Sequence, residues 1–112
     1  MAHRILIVDD DPSILRSAAR RIERMGYDTL KAGSVEEAFK ILDVQKIDTV
    51  LTDLEMPDKN GEDLAREARE WWPDVKIFLH SGRPELADKS LFDAIIDKGN
   101  FKQLKEAIGG AS

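Results

Sequence analysis

The chain has 112 residues and no cysteine, a length that suits one domain with a sizeable core and leaves no room for a second catalytic domain. Its formal net charge of -5, from 22 acidic and 17 basic residues, disfavours nucleic acid as a direct partner. No segment approaches the roughly 18 apolar residues of a membrane span, and residues 1–4 lead directly into a strand, so we expect no membrane partner, no secretory signal and a cytoplasmic location.

The first half of the chain predicts two strand-plus-helix units. Arg4–Val8 is a continuous apolar run, typical of a central strand that is covered on both faces. Asp11 offers a helix N-cap and Pro12 suits the first helical turn, so a helix should follow. Residues 27–32 predict a more polar strand at an edge of the sheet, and Ser34 should cap the second helix.

The second half continues the alternation of strands and helices. Strands are predicted over residues 47–52, 75–79 and 94–96, and a loop rich in turn-forming residues over 53–61. The last helix should present Phe101, Leu104, Ala107 and Ile108 to the sheet and end at Gly109 and Gly110. This pattern predicts an α/β fold with a doubly wound, five-stranded parallel sheet flanked by helices.

Polar residues that carry chemistry follow the predicted strands at one edge of this sheet. Asp9, Asp10, Asp53, Ser81 and Lys98 all fall at carboxyl ends of strands, where open α/β sheets bind ligands. Carboxylates held close together repel by about 4 kcal/mol per pair at an effective dielectric near 20, so a divalent cation such as Mg²⁺ should occupy the gap. The lysine and the hydroxyl would neutralise a phosphoryl group in transfer, and an aspartate can accept one as a nucleophile.

Four stretches of the chain resemble, in order and spacing, the signatures of the response-regulator receiver domain of two-component signalling. The resemblance is to receivers of the chemotaxis-regulator type. These stretches are residues 5–11, 51–57, 60–61 and 96–98. The resemblance covers essentially the whole chain, so residues 1–112 are interpreted as a single receiver domain. It also implies the strand order 2-1-3-4-5, which is known for such receivers and does not follow from the periodicity.

The resemblance implies a role for each residue at the predicted edge. Asp53 would be the phosphoacceptor, Ser81 would hydrogen-bond a phosphoryl oxygen and Lys98 would pair with it. Mg²⁺ would be held by the side chains of Asp10 and Asp53, by the backbone carbonyl of Glu55 and, through water, by Asp9.

The same resemblance implies the partners. The phosphate would come from a histidine kinase or a histidine phosphotransfer protein, and phosphorylation would switch a surface that binds a downstream protein target. The chain would be a monomer or a phosphorylation-dependent dimer. It would not be an enzyme beyond its own phosphorylation and dephosphorylation.

Three departures from the family pattern are visible. Gly99 follows Lys98 where the family usually has a proline after a cis peptide bond; a cis bond without proline costs about 3 to 4 kcal/mol, so we predict a trans bond. Ile95 stands where an aromatic switch residue is common. Ser81 and Lys98 are only 17 positions apart, so the helix of the fourth crossover should be short or irregular, within residues 84–91.

Several alternatives stay open. Asp11 is interpreted as a helix cap, Ser81 before Gly82 could be part of a plain turn, and Glu55 and Arg83 could tune hydrolysis of the acyl phosphate. The stripe Arg16, Arg20 and Arg24 is typical of a solvated helix face, or of a face that docks an acidic partner. One rival class is a phosphorylation-independent pseudo-receiver. Another is a haloacid-dehalogenase-like phosphatase that uses the Asp9-x-Asp11 pair, which the short chain disfavours.

Overall fold

The computed structural model describes residues 3–111 and is built around a five-stranded parallel sheet. The strands pair in the order β2-β1-β3-β4-β5, which confirms the predicted fold and strand order. The predicted strand positions agree with those observed to within two residues at each end. The strands are β1 Arg4–Val8, β2 Asp28–Ala32, β3 Thr49–Thr52, β4 Lys76–Ser81 and β5 Ala94–Asp97.

Four helices connect or follow the strands, and a side chain caps the start of each. The Asp11 side chain accepts the N–H of Ser13 at 2.8 Å, as its interpretation as a cap requires, and Ser34 accepts the N–H of Glu37 at 3.1 Å. Asn60 forms a reciprocal capping box that the sequence analysis did not include. The helices are α1 Pro12–Arg24, α2 Val35–Val44, α3 Gly61–Trp71 and α4 Phe101–Ala111. None of those within residues 3–111 is long and apolar enough to cross a bilayer.

The sheet separates two apolar layers because alternate side chains of each strand point to opposite faces. Leu6 and Leu79 belong to the layer under α2 and α3, whereas Ile7 and Phe78 belong to the layer under α1 and α4. These four strand residues are almost fully buried. This burial holds the ends of β1, β3, β4 and β5 in fixed positions at one edge.

The crossover from β4 to β5 contains two short 3₁₀ turns, Pro84–Leu86 and Lys89–Leu91, so the predicted lack of a full helix is confirmed. Arg69 of α3 holds the end of this segment. Its Nε and Nη2 donate to the carbonyl of Leu91 at 2.9 and 2.7 Å, and Nη2 lies 3.3 Å from a carboxylate oxygen of Asp93. Polar contacts from α3 therefore help to hold the end of the crossover, and Leu91 and Phe92 also pack against the apolar layer that includes α3.

Two features of α4 differ from the sequence prediction. The helix continues through Gly109 and Gly110, because buried Leu104 and Ile108 hold the preceding turns against the sheet. Phe101 is 38% exposed and packs against the guanidinium of Arg21 instead of entering the core. The predicted trans Lys98–Gly99 bond is confirmed, since the described residues contain no cis peptide bond.

Candidate functional site

The carboxyl ends of β1 and β3 bring three aspartates together. The two strands pair in register up to Val8 and Thr52, and the N–H of Asp53 donates to the carbonyl of Val8 at 2.9 Å. One carboxylate oxygen from each of Asp9, Asp10 and Asp53 lies within 4.8 Å of the others. Asp9 is buried and Asp10 is exposed, so the cluster opens from the sheet edge towards solvent.

Lys98 reaches this cluster from the end of β5. Its ammonium lies 2.9 Å from Oδ2 of Asp9 and 3.1 Å from Oδ1 of Asp53. Asp9 is only 2% exposed, and Oδ2 accepts no N–H or O–H other than those of the ammonium among the described residues. A single lysine therefore reduces the repulsion between two carboxylates but leaves one negative charge unbalanced.

Backbone donors orient the two inner carboxylates. Oδ1 of Asp9 accepts the N–H of Asp11 at 2.9 Å, and Oδ1 of Asp53 accepts the N–H of Leu54 at 2.9 Å. Among residues 3–111, no hydrogen bond or ion pair reaches Oδ2 of Asp53 or the carboxylate of Asp10. The carboxylates of Asp9 and Asp53 are thus held in position by protein groups, whereas Oδ2 of Asp53 and both carboxylate oxygens of Asp10 are free to bind a ligand.

The electrostatics of the cluster favour a cation. Burial, followed by the charge of Asp9, raises the pKa of Asp53, although Lys98 and the Leu54 N–H act in the opposite direction. Burial alone would lower the pKa of Lys98, but its hydrogen bond to Asp9 and the charge of Asp53 outweigh burial and raise it. Lys98 therefore stays protonated, and the folded state carries an electrostatic cost at Asp53.

The donor set suits a hard divalent cation. Three carboxylates converge, and neither Oδ2 of Asp53 nor the carboxylate of Asp10 has a partner among the described residues. Oxygen atoms are the ligands that Mg²⁺ prefers. The backbone carbonyl of Glu55 also accepts no hydrogen bond from the described residues. Asp10, Asp53 and the Glu55 carbonyl, with Asp9 behind them, are the groups that could hold such an ion.

Ser81 lies near this group without contacting its charges. It is the last residue of β4 and is 4% exposed, and its Oγ accepts the N–H of Arg83 at 2.9 Å. Its carbonyl accepts the N–H of Lys98 at 2.9 Å. Within residues 3–111, no hydrogen bond joins Ser81 to Asp9, Asp53 or the Lys98 ammonium. The side chains of Glu55 and Arg83 are exposed beside the edge.

Gly61 supports the site in a way that the sequence analysis missed. A Cβ at this position would overlap the backbone carbonyl oxygen of Asp53 and lie 3.2 Å from the Cα of Leu54. The Gly61 N–H donates to the Leu54 carbonyl at 2.8 Å, and the Thr52 hydroxyl donates to the Asp53 carbonyl at 2.9 Å. The sequence indicates Asn60-Gly61 as a turn and as one of the stretches that resemble the receiver family, but the close approach to Asp53 depends on tertiary packing.

Comparisons with known proteins agree with this geometry. A family model described as the response regulator receiver domain matches residues 5–106. The crystal structure of response regulator TrrA from Thermotoga maritima in complex with Mg(2+)-BeF is 32% identical, with a TM-score of 0.93 over 98% of this chain and 99% of that one. TrrA in complex with the histidine kinase ThkA gives 34% identity and a TM-score of 0.89, with 97% of each chain covered.

Curated relatives lead to the same family. The alkaline phosphatase synthesis transcriptional regulatory protein PhoP of Bacillus subtilis is 32% identical over 91 residues, which is 81% of this chain and 38% of PhoP. The chain spans only 20% of the length of the regulator GlrR of Escherichia coli. With nearly the whole sequence matched and the strand order shared, this chain belongs to the response regulator receiver domain family.

Proposed function

We propose that this receiver domain, taken as residues 1–112, accepts a phosphoryl group on Asp53 from a phosphohistidine donor. The observation that carries the proposal is the Lys98 ammonium, which contacts Asp53 and Asp9 at 3.1 and 2.9 Å beside a third carboxylate. Ordinary surface charges do not require such an arrangement. Transfer of a phosphoryl group does, because it depends on a nucleophile and on fixed positive charge.

The two carboxylate oxygens of Asp53 have different roles in the proposed transfer. Oδ1 is held by Leu54 and Lys98, whereas Oδ2 is free to attack phosphorus. The new O–P bond forms as the P–N bond of the phosphohistidine breaks, and the electron pair returns to the imidazole nitrogen, which takes a proton from solvent. An acyl phosphate remains on Asp53. Attack of water on phosphorus later releases inorganic phosphate and restores the carboxylate.

Lys98 offsets the negative charge of the phosphoryl group during this transfer. Its ammonium already lies within hydrogen-bonding distance of Asp53 and can pair with an oxygen of the incoming phosphoryl group. Mg²⁺, when bound by Asp10, Asp53 and the Glu55 carbonyl, supplies the additional positive charge that lets phosphate approach three carboxylates. Ser81 is proposed as a further donor to the phosphoryl group. The Ser81 hydroxyl oxygen accepts the N–H of Arg83, and in this role the hydroxyl would also donate its proton to a phosphoryl oxygen.

A histidine kinase or histidine phosphotransfer protein is the proposed donor, and the TrrA complex with ThkA supports this class of partner. The proposed output is a change in a surface that binds a downstream protein. We also propose that the protein acts in the cytoplasm.

Labelling identifies the acceptor. The protein is incubated with acetyl phosphate and Mg²⁺, and its intact mass is measured before and after hydroxylamine, which cleaves acyl phosphates. We expect one phosphoryl group on the wild type and on Asp58→Asn, a control in the same loop, and none on Asp53→Asn. Labelling of Asp53→Asn to the wild-type extent would refute the assignment.

The same assay addresses the two rival classes. A haloacid-dehalogenase-like phosphatase would be labelled on Asp9, but both oxygens of that buried carboxylate are engaged, by Asp11 and by Lys98. A pseudo-receiver would take up no phosphate and would not respond to millimolar Mg²⁺. A receiver that works as proposed should gain thermal stability with Mg²⁺, and Asp10→Asn should remove most of that gain.

A further inference from the structure

Gln103, in the first turn of α4, covers the outer edge of β5. Within residues 3–111 this strand pairs only with β4, and the backbone groups of Ile95 and Asp97 face away from that partner. Oε1 of Gln103 accepts the N–H of Asp97 at 2.9 Å, and Nε2 donates to the carbonyl of Ile95 at 2.9 Å. Only one orientation of the amide satisfies both backbone groups. The Gln103 side chain thus takes the place of a neighbouring strand.

The helix that carries Gln103 is itself fixed against the sheet. Leu104, the next residue, is buried, and so is Ile108 one turn later. The Asn100 side chain accepts the N–H of Gln103 at 3.0 Å and so holds the first turn of the helix. The Gln103 amide therefore extends from a rigid base and can restrain the end of β5.

Lys98 follows directly after the residue that Gln103 restrains. Its N–H donates to the Ser81 carbonyl at 2.9 Å, which fixes its backbone on the side of β4. Gly99, the next residue, is exposed and has a φ of +88°, so the backbone beyond Lys98 is less restricted than it would be with any other residue. On the outer side, the Lys98 backbone is held through Asp97 by Gln103.

The ammonium of Lys98 has little tolerance for displacement. It lies 2.9 Å from Oδ2 of Asp9 and 3.1 Å from Oδ1 of Asp53, and a shift of about 1 Å away from them would break both hydrogen bonds. The lysine side chain is long and flexible, so the position of its backbone limits where the ammonium can lie. Misplacing a reacting group by about 1 Å can slow a reaction up to about a hundredfold.

We propose that Gln103 is a positioning residue for phosphoryl transfer. By fixing the end of β5, it places the Lys98 ammonium against Asp53 and the incoming phosphoryl group. The inference rests on the proposed function, because it gives Gln103 a part in that same transfer. The Gln103 amide carries no net charge, and within residues 3–111 no hydrogen bond joins it to Asp9 or Asp53. Its effect on the transfer therefore passes through Lys98.

The test compares Gln103→Met with wild type. Methionine is similar in length and helix propensity but forms neither hydrogen bond. Gln45→Met is the matched control, since Gln45 accepts a hydrogen bond from Arg4 at the opposite edge of the sheet. We expect acetyl phosphate labelling, per folded protein, to slow about tenfold in Gln103→Met and less than twofold in Gln45→Met. Mg²⁺ affinity should not weaken in either variant, because the carboxylates that could hold the ion follow β1 and β3.

A double-mutant cycle determines whether the effect passes through Lys98. Lys98→Met alone should slow labelling more than Gln103→Met does. Adding Gln103→Met to Lys98→Met should then change the rate less than twofold, because the group that Gln103 positions is already absent.

NMR reports on Lys98 without any phosphorylation. A fixed ammonium places the two Hε protons of Lys98 in different surroundings, so we expect separate Hε resonances in wild type and in Gln45→Met. These resonances should merge in Gln103→Met. If wild type takes up no phosphoryl group, the proposed function fails, and the Hε resonances still determine whether Gln103 positions Lys98. The same resonances decide the question if Lys98→Met leaves no measurable rate.

Four results would overturn the proposal. The first is labelling of Gln103→Met within twofold of wild type. The second is equal slowing by Gln103→Met whether or not Lys98 is present. The third is separate Lys98 Hε resonances in Gln103→Met, as in wild type. The fourth is a loss of Mg²⁺ affinity in Gln103→Met as large as its loss of rate, because the damage would then extend to the whole site.

Discussion

Replacing Gly61 with alanine should displace the backbone that carries Asp53. The added Cβ would overlap the Asp53 carbonyl oxygen and lie 3.2 Å from the Asp53 carbonyl carbon. These opposing atoms are backbone, and the carbonyl is also held by the Thr52 hydroxyl at 2.9 Å, so no side chain can move aside. Either the start of α3 or the end of β3 must shift.

The expected cost follows from overpacking. Forcing extra methyl groups into a packed site costs typically 1 to 3 kcal/mol, and backbone opposition puts Gly61→Ala near the upper end of that range. The alanine gains about 0.4 to 1 kcal/mol by restricting the unfolded chain. We therefore expect a net loss of about 2 kcal/mol in the free energy of unfolding, or roughly a thirtyfold fall in the folding equilibrium constant.

Urea unfolding measures this loss, and acetyl phosphate labelling measures its effect on the site. The midpoint should fall by about 1 to 2 M urea. A shift of about 1 Å at a reacting group can reduce rates up to about a hundredfold, so labelling of folded Gly61→Ala should slow at least tenfold. Gly33→Ala is the control, since a Cβ there would meet only the flexible Glu37 Oε2, at 3.8 Å.

A Gly61→Ala variant that is as stable as wild type and is labelled at the wild-type rate would refute this reasoning. Equal losses in Gly61→Ala and Gly33→Ala would also refute it, because the effect would then come from glycine replacement in general.

Three further perturbations test the electrostatics and the crossover. Asp53→Asn should raise the unfolding free energy in metal-free buffer at neutral pH, because burial and Asp9 disfavour the charged form. This gain should shrink as the pH falls and wild-type Asp53 becomes protonated. Arg69→Met removes two hydrogen bonds to the Leu91 carbonyl, so it should cost about 1 to 3 kcal/mol and speed amide exchange over residues 84–92. Burial lowers the pKa of His80 to about 4 in the folded chain from the usual 6.5 of histidine, so protons bind preferentially to the unfolded chain between these values. Wild type should lose about 3 kcal/mol more than His80→Gln as the pH falls from 7 to 4.

Each of these expectations has a contrary outcome. Destabilisation by Asp53→Asn without metal would mean that Lys98 more than offsets the repulsion. Arg66→Met is the control for Arg69→Met, since its exposed 3.8 Å ion pair to Asp63 should contribute little; equal exchange rates in both variants would remove the anchoring role. Parallel pH profiles for wild type and His80→Gln would show that the buried ring does not limit stability in acid.

Local sequence determined the fold class and the position of most elements. The run Arg4–Val8 must be buried on both faces, Asp11 and Pro12 mark the start of a helix, and strict alternation of strands and helices permits few topologies. The convergence of Asp9, Asp10 and Asp53 was also predictable, because parallel strands end at a common edge. The strand order and the role of each residue were expectations that came from family resemblance.

Tertiary structure decided the features that depend on distances between separate segments. Sequence patterns gave no signal that Gly61 contacts the Asp53 backbone, or that Arg69 holds the end of the crossover. The helical period placed Phe101 in the core, but its position in the first turn of α4 leaves it over Arg21. Nothing in the residue spacing indicated that His80, near the end of β4, would be buried on the side of the sheet that α1 and α4 cover. Periodicity reports which face of an element is buried, whereas packing between elements decides what each buried group contacts.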